Sequence, residues 1–158
     1  MSDVPPVVIA GVLMRILREA FDGPPGPWTY FTDTSAAAGV FGTIKKVSAA
    51  EASRAAGSGR STIAGHVHHL CASLALTTHT IRGGPPARDR STSWTLAVVD
   101  DAKWTDLQAR LRHEYSALLV AVETRAAWDE DTLGDAIGAI AHTAYHLGAI
   151  RQRLALGR

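Results

Sequence analysis

The sequence is poor in cysteine and in net charge, and each shortage excludes a class of protein. The single cysteine, Cys71, cannot form an intrachain disulfide, which excludes a disulfide scaffold and favours a reducing compartment. The formal net charge of +1 provides no large field to attract nucleic acid or an anionic membrane. Residues 7–17 are apolar but are interrupted by Arg15 and are too short to span a bilayer, and the first residues lack the basic region of a secretory signal. We therefore expect a cytoplasmic protein that binds neither nucleic acid nor membrane.

The composition is that of an ordinary globular protein. Its 158 residues are 46% hydrophobic and 20% charged, which fits a single domain over residues 1–158 with a genuine core. Four segments repeat apolar residues at three- and four-residue spacing, and no strand pattern of comparable strength is present. The third segment is the clearest, with apolar positions at Trp104, Leu107, Leu111, Tyr115, Leu118 and Val122. The pattern predicts an all-α fold.

Capping residues and stretches rich in glycine and proline indicate where the helices begin and end. The first helix is expected to begin at the N-cap Asp3 and to stop at the Gly/Pro-rich residues 23–27. Ser48 and Glu51 form a capping-box pattern for one short helix that ends at residues 57–59. The other long helices are expected from Ser61 to about residue 78, from a cap at Asp100 or 101, and from about residue 131 to residue 156. Residues 28–47 show no clean period, and we expect them to form a loop that covers one end of the domain.

Four long helices with one apolar stripe each bury those stripes most simply against one another. The sequence therefore predicts a four-helix bundle. Two connections are long, over residues 28–59 and 81–99, and long connections permit crossovers.

Seven histidines carry the functional signal. His142 and His146 are four residues apart in the last helix, so that two imidazoles on one face can share a metal ion. In the second helix His66 falls beside the apolar stripe, and it is the expected inward ligand; His69 lies further round. Neutral imidazole suits zinc, nickel, copper or iron, so the spacing alone does not name the ion.

The pattern of the last helix argues against a metal site at these histidines. Its apolar stripe is expected at Leu133, Ile137, Ile140, Ala144 and Leu147. His142 and His146 are offset from the centre of this stripe and lie on a flank of small residues. That flank indicates either the wall of a roomy cavity or a less buried face. The remaining histidines, among them His113 opposite the stripe of the third helix, are expected to point away from the core.

Two segments resemble the DinB/YfiT-like family of metal-binding proteins. They are STIAGHVHHL at residues 61–70 and AHTAYHLGAIRQ at residues 141–152, supported by SAAEAS at residues 48–53, by Ser93-Trp94 and by Trp104. Together these pieces cover most of the chain in the family's order. The resemblance implies a four-helix bundle with crossover connections and a metal bound near one end. Its ligands would be one histidine from the second helix and two, four apart, from the last: His66, His142 and His146, with His69 as the alternative register to His66.

The resemblance also implies zinc or nickel as the metal, a homodimer, and relatives that include thiol-dependent transferases and isomerases. Three protein ligands leave room for water or substrate. We therefore expect a metal-dependent enzyme, either a hydrolase or a transferase that acts on a small-molecule substrate such as a low-molecular-weight thiol. The alternative is a non-catalytic helical ligand-binding or interaction module, whose contact surface would include Trp28, Tyr30 and Phe31. Glu114 and Asp135 are candidates to orient a ligand, whereas Cys71 is expected in the core and Arg151 in a salt bridge.

Overall fold

The structure is a computed structural model that describes residues 4–55, 61–85 and 93–156. Within these ranges the chain forms helices and no strand, which confirms the predicted all-α class. The helices, in chain order, are α1 (Pro6–Asp22), α2 (Val40–Ile44), α3 (Ala49–Ala52), α4 (Ile63–Ile81), α5 (Asp101–Thr124) and α6 (Glu130–Leu156). None of them combines the length and apolar character that crossing a membrane requires.

The helices begin where side chains can satisfy their free N–H groups. Thr62 caps α4 by accepting a hydrogen bond from the backbone N–H of Gly65 at 3.0 Å, and Asp100 caps α5 in the same way. The capping box of Ser48 and Glu51 is present at the start of α3. The expected N-cap Asp3 and the expected stop at residues 57–59 lie outside the described residues.

The four long helices enclose one core. α4 packs against both α5 and α6, and α1 also packs against both of them. The predicted stripe of α5 is confirmed, because all six of its apolar positions are buried. The largest side chains that are fully enclosed come from all four long helices and from α2; they include Leu17, Phe21, Ile44, Leu70, Leu111, Leu118 and Ile150.

The buried face of α6 differs from the predicted stripe. Ile137, which was expected at the centre of that stripe, is 53% exposed. The helix instead buries a face of mostly small side chains, together with a histidine: Thr132, Ala136, Ala139, Thr143, His146, Leu147 and Ile150. Small residues allow the backbone of α6 to approach its neighbours closely, a preference that a pattern of hydrophobicity does not register. The predicted stripe was wrong at Ile137, whereas Leu147 is buried and Leu133 and Ile140 pack against the core as expected. The buried face also brings His146 into the interior.

Residues 28–47 contain a helix that the prediction missed, α2, which packs on α1 and α6. The chain before α2 is held by Glu19, a carboxylate of α1 that is only 2% exposed. This carboxylate accepts hydrogen bonds from the backbone N–H groups of Tyr30, Phe31 and Thr32 at 2.8–3.0 Å. Burial on its own would raise the pKa of Glu19, but these backbone donors and the Thr32 hydroxyl hold the pKa below its ordinary value. Glu19 therefore remains charged and ties this segment to α1.

Candidate metal centre

Contact between α4 and α6 brings four histidines together. His66 and His69 are three residues apart on α4, and His142 and His146 are four residues apart on α6, so each pair lies on one face of its helix. Three of the four side chains are almost completely enclosed, and His142 is half-buried. Buried imidazoles need partners, and here the imidazoles are partners of one another.

Three of these imidazoles converge through the same ring nitrogen. The Nε2 atom of His142 lies 3.0 Å from Nε2 of His69 and 2.9 Å from Nε2 of His146. One nitrogen from each of the three rings lies within 4.8 Å of the others. Nitrogens bound to one tetrahedral zinc at about 2.0–2.1 Å are about 3.3 Å apart, so an ion would require the three rings to separate only slightly. His69, His142 and His146 are therefore close enough to bind a metal ion.

Each of the three rings is also held from behind at its other nitrogen. The Nδ1 atom of His69 lies 2.7 Å from Oγ of Ser93, and Nδ1 of His142 lies 3.0 Å from Oγ of Ser73. Metal-binding histidines in proteins nearly always have such a partner, because it fixes the ring orientation and the tautomer that presents the free nitrogen. The arrangement of donors and outer partners is thus the one that metal ligation requires.

The outer partner of His146 is the fourth histidine, His66. The two Nδ1 atoms lie 2.7 Å apart, and on its far side Nε2 of His66 accepts a hydrogen bond from Nε of Arg153 at 3.2 Å. The structure thus brings His142 and His146 together as the spacing indicated, with His69 as the third member of the group. His66 touches the group from outside. Its assignment as a ligand stays a prediction.

The cluster favours uncharged imidazoles. Burial lowers the pKa of His66 to about 4, and the positive charge of Arg153 and the nearby His69 contribute to the same effect. Burial likewise lowers the pKa of His146 to about 3, with further contributions from the three histidines around it. A neutral imidazole is the charge state that binds metal, so at pH 7 His146 needs to lose no charge before it could bind an ion.

An aromatic side chain covers the cluster. The ring of Trp94 lies flat on His69, with centroids 4.5 Å apart, and meets the edge of His66 at 5.3 Å. The indole is 43% exposed, so it forms a partly open wall between the histidines and solvent. The ring centroids of Tyr145 and His146 are 5.1 Å apart, and Tyr145 is 69% exposed, which places it at the rim of the histidine cluster.

The other residues that the sequence singled out lie elsewhere. Arg151 forms an ion pair with Asp33 at 3.0 Å and donates to the carbonyl oxygen of Ala38, so the expected salt bridge is confirmed. Glu114 lies 3.7 Å from Arg110 in an ion pair along α5. Cys71 is buried in the core, where burial raises the pKa of its thiol to about 12. The expectation that His113 is exposed is also confirmed.

The outer partners Ser73 and Ser93 and the neighbour Arg153 were not anticipated. Ser73 follows His69 by four residues and lies on the same face of α4. This spacing would have identified Ser73 as a neighbour of the cluster if His69 had been expected to point inward. Ser93 comes from a distant segment and has no such signal. The preference for His66 over His69 relied on an apolar stripe, but α4 is buried on nearly every side, so a stripe does not identify one inner face.

Comparisons with family models, with curated proteins and with solved structures find no match to this chain. A metal centre is therefore supported by the geometry of the histidines alone. In the described part of the chain the group that could hold an ion contains histidines alone, with no carboxylate and no cysteine. Three imidazole donors leave further coordination positions for water or substrate.

Proposed function

We propose that this chain is a metal-dependent enzyme in which His69, His142 and His146 hold one divalent ion. The observation that carries the proposal is the double constraint on each ring: Nε2 points to a common centre while Nδ1 is held by a separate partner. A purely structural histidine cluster needs only one hydrogen bond for each proton. Nε2 atoms that face one another can share a proton only in pairs, whereas a cation between them accepts a lone pair from all three.

His66 takes the role of an orienting residue in this proposal. Its contact with Nδ1 of His146 is the position that an outer hydrogen-bond partner occupies in metal sites. The proposal therefore adopts the register with His69, which the sequence left open, in place of the one with His66.

The proposed fold is a four-helix bundle with crossover connections of the DinB/YfiT type. The packing of α1 and of α4 against both α5 and α6 supports a bundle. The long connections before α4 and after it, over residues 23–62 and 82–100, are compatible with crossovers. The three histidines come from the helices that the resemblance implies, one from α4 and two, four apart, from α6.

The metal, for which the resemblance implies zinc or nickel, would supply Lewis acidity and a site for a hydroxide or thiolate at neutral pH. The chain's own residues do the rest. The histidines fix the position of the centre, and Trp94 shields one side of it from water. Because no cysteine joins the group, a thiol that took part would come from the substrate, which supports a thiol-dependent transferase beside a hydrolase as the reaction class.

A homodimer is part of the proposal. The outer face of α1 exposes three valines at helical spacing, Val7 (76%), Val8 (50%) and Val12 (40%), and Val4, two residues before the helix, is also exposed (59%). A continuous apolar strip of this kind marks a contact surface in soluble proteins. Light scattering should give a mass of twice 16.8 kDa, and Val8→Glu should reduce it to the monomer mass.

Metal content tests the proposed function. The protein is purified without a histidine tag, loaded with zinc or nickel, and freed of excess metal by gel filtration. We expect close to one ion per chain in the wild type and in a His113→Ala control, and loss of the ion in His69→Ala with retained helical circular dichroism. Metal far below one per chain in the wild type would overturn the proposal. It would favour the non-catalytic module, whose contact surface would be the exposed Trp28, Tyr30 and Phe31.

A further inference from the structure

Arg153 reaches from the last turns of α6 to the beginning of α4. Its Nε donates to Nε2 of His66, and its Nη2 donates to the hydroxyl oxygen of Ser61. Both acceptors are uncharged, because Nε2 of His66 accepts this hydrogen bond and therefore carries no proton, and a serine hydroxyl does not ionise at neutral pH. The guanidinium is therefore hydrogen-bonded but its charge is not balanced by either partner.

The third nitrogen of this guanidinium has no partner. Nη1 of Arg153 is enclosed and meets no hydrogen-bond acceptor in the described residues. No ion pair to Arg153 occurs among residues 4–55, 61–85 and 93–156 either. Arg151, two residues earlier, differs from Arg153 because its guanidinium forms an ion pair with Asp33. The side chain as a whole is half-buried, but a donor such as Nη1 that is enclosed without an acceptor costs free energy, which a bound anion would offset.

The unbalanced charge lies beside the proposed metal centre. His66 contacts Arg153 through one ring nitrogen and the ligand His146 through the other, so a single imidazole separates the guanidinium from the ligand. Trp94 packs against His66, the residue between the two groups, and its indole is partly exposed at the surface. A small molecule that enters along Trp94 would meet the metal and the guanidinium together.

We propose that Arg153 is the anion-binding subsite of the metal centre and that it takes a carboxylate group of the substrate. The inference rests on the proposed function and narrows its substrate class to small organic acids. A guanidinium presents donors in a planar fork that matches a carboxylate, and the free Nη1 together with the second hydrogen of Nη2 provides two such donors. The other end of the substrate, a thiol or a carbonyl group, would face the metal.

Acetate is the probe that tests the subsite without any turnover. In protein labelled with ¹⁵N, the Nε–H signal of Arg153 is identified by its absence from Arg153→Gln and then followed during titration with sodium acetate. We expect a saturable shift of this signal in the wild type and an unchanged affinity in Arg112→Gln. Arg153→Lys keeps the charge but loses the fork and the Nε–H signal, so its titration and a parallel wild-type titration are followed at the indole N–H of Trp94, where we expect an affinity at least about tenfold weaker in the variant. Arg112, which is on α5, is a matched control because its guanidinium lies over the ring of Phe41 in α2.

Two further arms separate the competing explanations. Inorganic phosphate that binds at least tenfold more tightly than acetate would overturn the carboxylate assignment in favour of a phosphate group. An Asp89→Asn variant tests the acidic side chain in residues 86–92, which lie outside the described ranges. If this variant alone shifts the Arg153 signal and permits acetate to bind where the wild type does not, the counter-ion belongs to the chain and the subsite is refuted.

The same samples distinguish failure of the subsite from failure of the metal centre. Zinc content is measured beside each titration, in zinc-loaded and in chelated protein. One zinc per chain with no response to acetate would refute the subsite and leave the proposed function intact. A response of Arg153 to acetate without zinc uptake would refute the proposed function and retain an anion site.

Discussion

The Nδ1 atoms of His66 and His146 lie 2.7 Å apart, so one of these two neutral rings donates a proton to the other. Arg153 donates to Nε2 of His66, which puts the proton of His66 on Nδ1 and makes Nδ1 of His146 the acceptor. The proton of His146 then resides on Nε2, the nitrogen that faces His142. Ligation of a metal through Nε2 of His146 requires the opposite arrangement.

Metal binding is therefore expected to reverse the tautomers of both rings. With zinc on Nε2 of His146, the ring proton of His146 would lie on Nδ1. The ring proton of His66 would then lie on Nε2, where it opposes the N–H donor of Arg153. Long-range ¹H–¹⁵N spectra of the imidazoles in chelated and zinc-loaded protein report these tautomers directly. A His66 ring that keeps its Nδ1 proton in the zinc-loaded protein would contradict the assignment of His146 Nε2 as a ligand.

His66 and His69 are expected to differ in what their removal does to metal affinity. Loss of an outer partner lowers affinity by about 10–100-fold, whereas loss of a ligand removes most of the binding. His66→Ala should thus still take up one zinc per chain at saturation, with weaker affinity in a chelator competition, and His69→Ala should not. The reverse order of the two variants would restore His66 to the ligand set.

The stability of the metal-free protein should fall with pH below about 6.5. That is the ordinary pKa of an imidazole, and burial lowers the pKa of His66 to about 4 and that of His146 to about 3. Between these values the unfolded chain binds protons that the folded chain excludes. The free energy of unfolding therefore decreases as pH falls, by at most about 1.4 kcal/mol per pH unit for each imidazole.

Urea denaturation in the presence of a chelator at pH 7.5 and pH 5 measures this dependence. The carboxylates with lowered pKa, such as Glu19, contribute mainly at lower pH, below the ordinary value of 4.5. His66→Gln should show a shallower dependence, and His113→Ala should behave as the wild type. Equal stability at the two pH values would mean that the histidines are not held neutral by burial.

Glu19 is expected to be among the most sensitive carboxylates for stability. Its oxygens accept from three backbone N–H groups and from the Thr32 hydroxyl, and Glu19→Gln replaces one acceptor oxygen by a donor that opposes them. Hydrogen bonds to a charged group contribute about 1.5–3 kcal/mol, so we expect a loss of about 2–3 kcal/mol. Urea denaturation measures it, with Glu123→Gln on the exposed face of α5 as the control. An unchanged midpoint would show that the segment at residues 30–32 does not depend on Glu19.

The sequence predicted best where local patterns decide the structure. The stripe of α5 from Trp104 to Val122 and the caps at Ser48 and Asp100 depend on spacing and on adjacent residues, and the structure contains them as expected. The pairing of His142 with His146 is local in the same sense, because one helical turn separates them. Each of these features depends on residues that lie about one turn of helix from their nearest partner.

The sequence failed where packing between distant elements decides. α6 turns a face of alanines and threonines inward and leaves Ile137 outside, a choice that depends on how closely α6 approaches its neighbours. The presence of His69 in the group, with Ser93 behind it, depends equally on the rotation of α4 against α6, and the assignment of His66 as a ligand stays a prediction. A hydrophobic pattern contains no information about that rotation when one helix is buried on nearly all sides.

X-ray absorption at the zinc edge of the zinc-loaded, untagged protein tests the central claim most directly. We expect a first shell of nitrogen and oxygen at about 2.0–2.1 Å with the outer scattering of three imidazoles in the wild type, and loss of the zinc, and with it of that scattering, in His69→Ala. A shell without imidazole scattering, or one that is the same in His69→Ala, would show that the ion does not bind between α4 and α6.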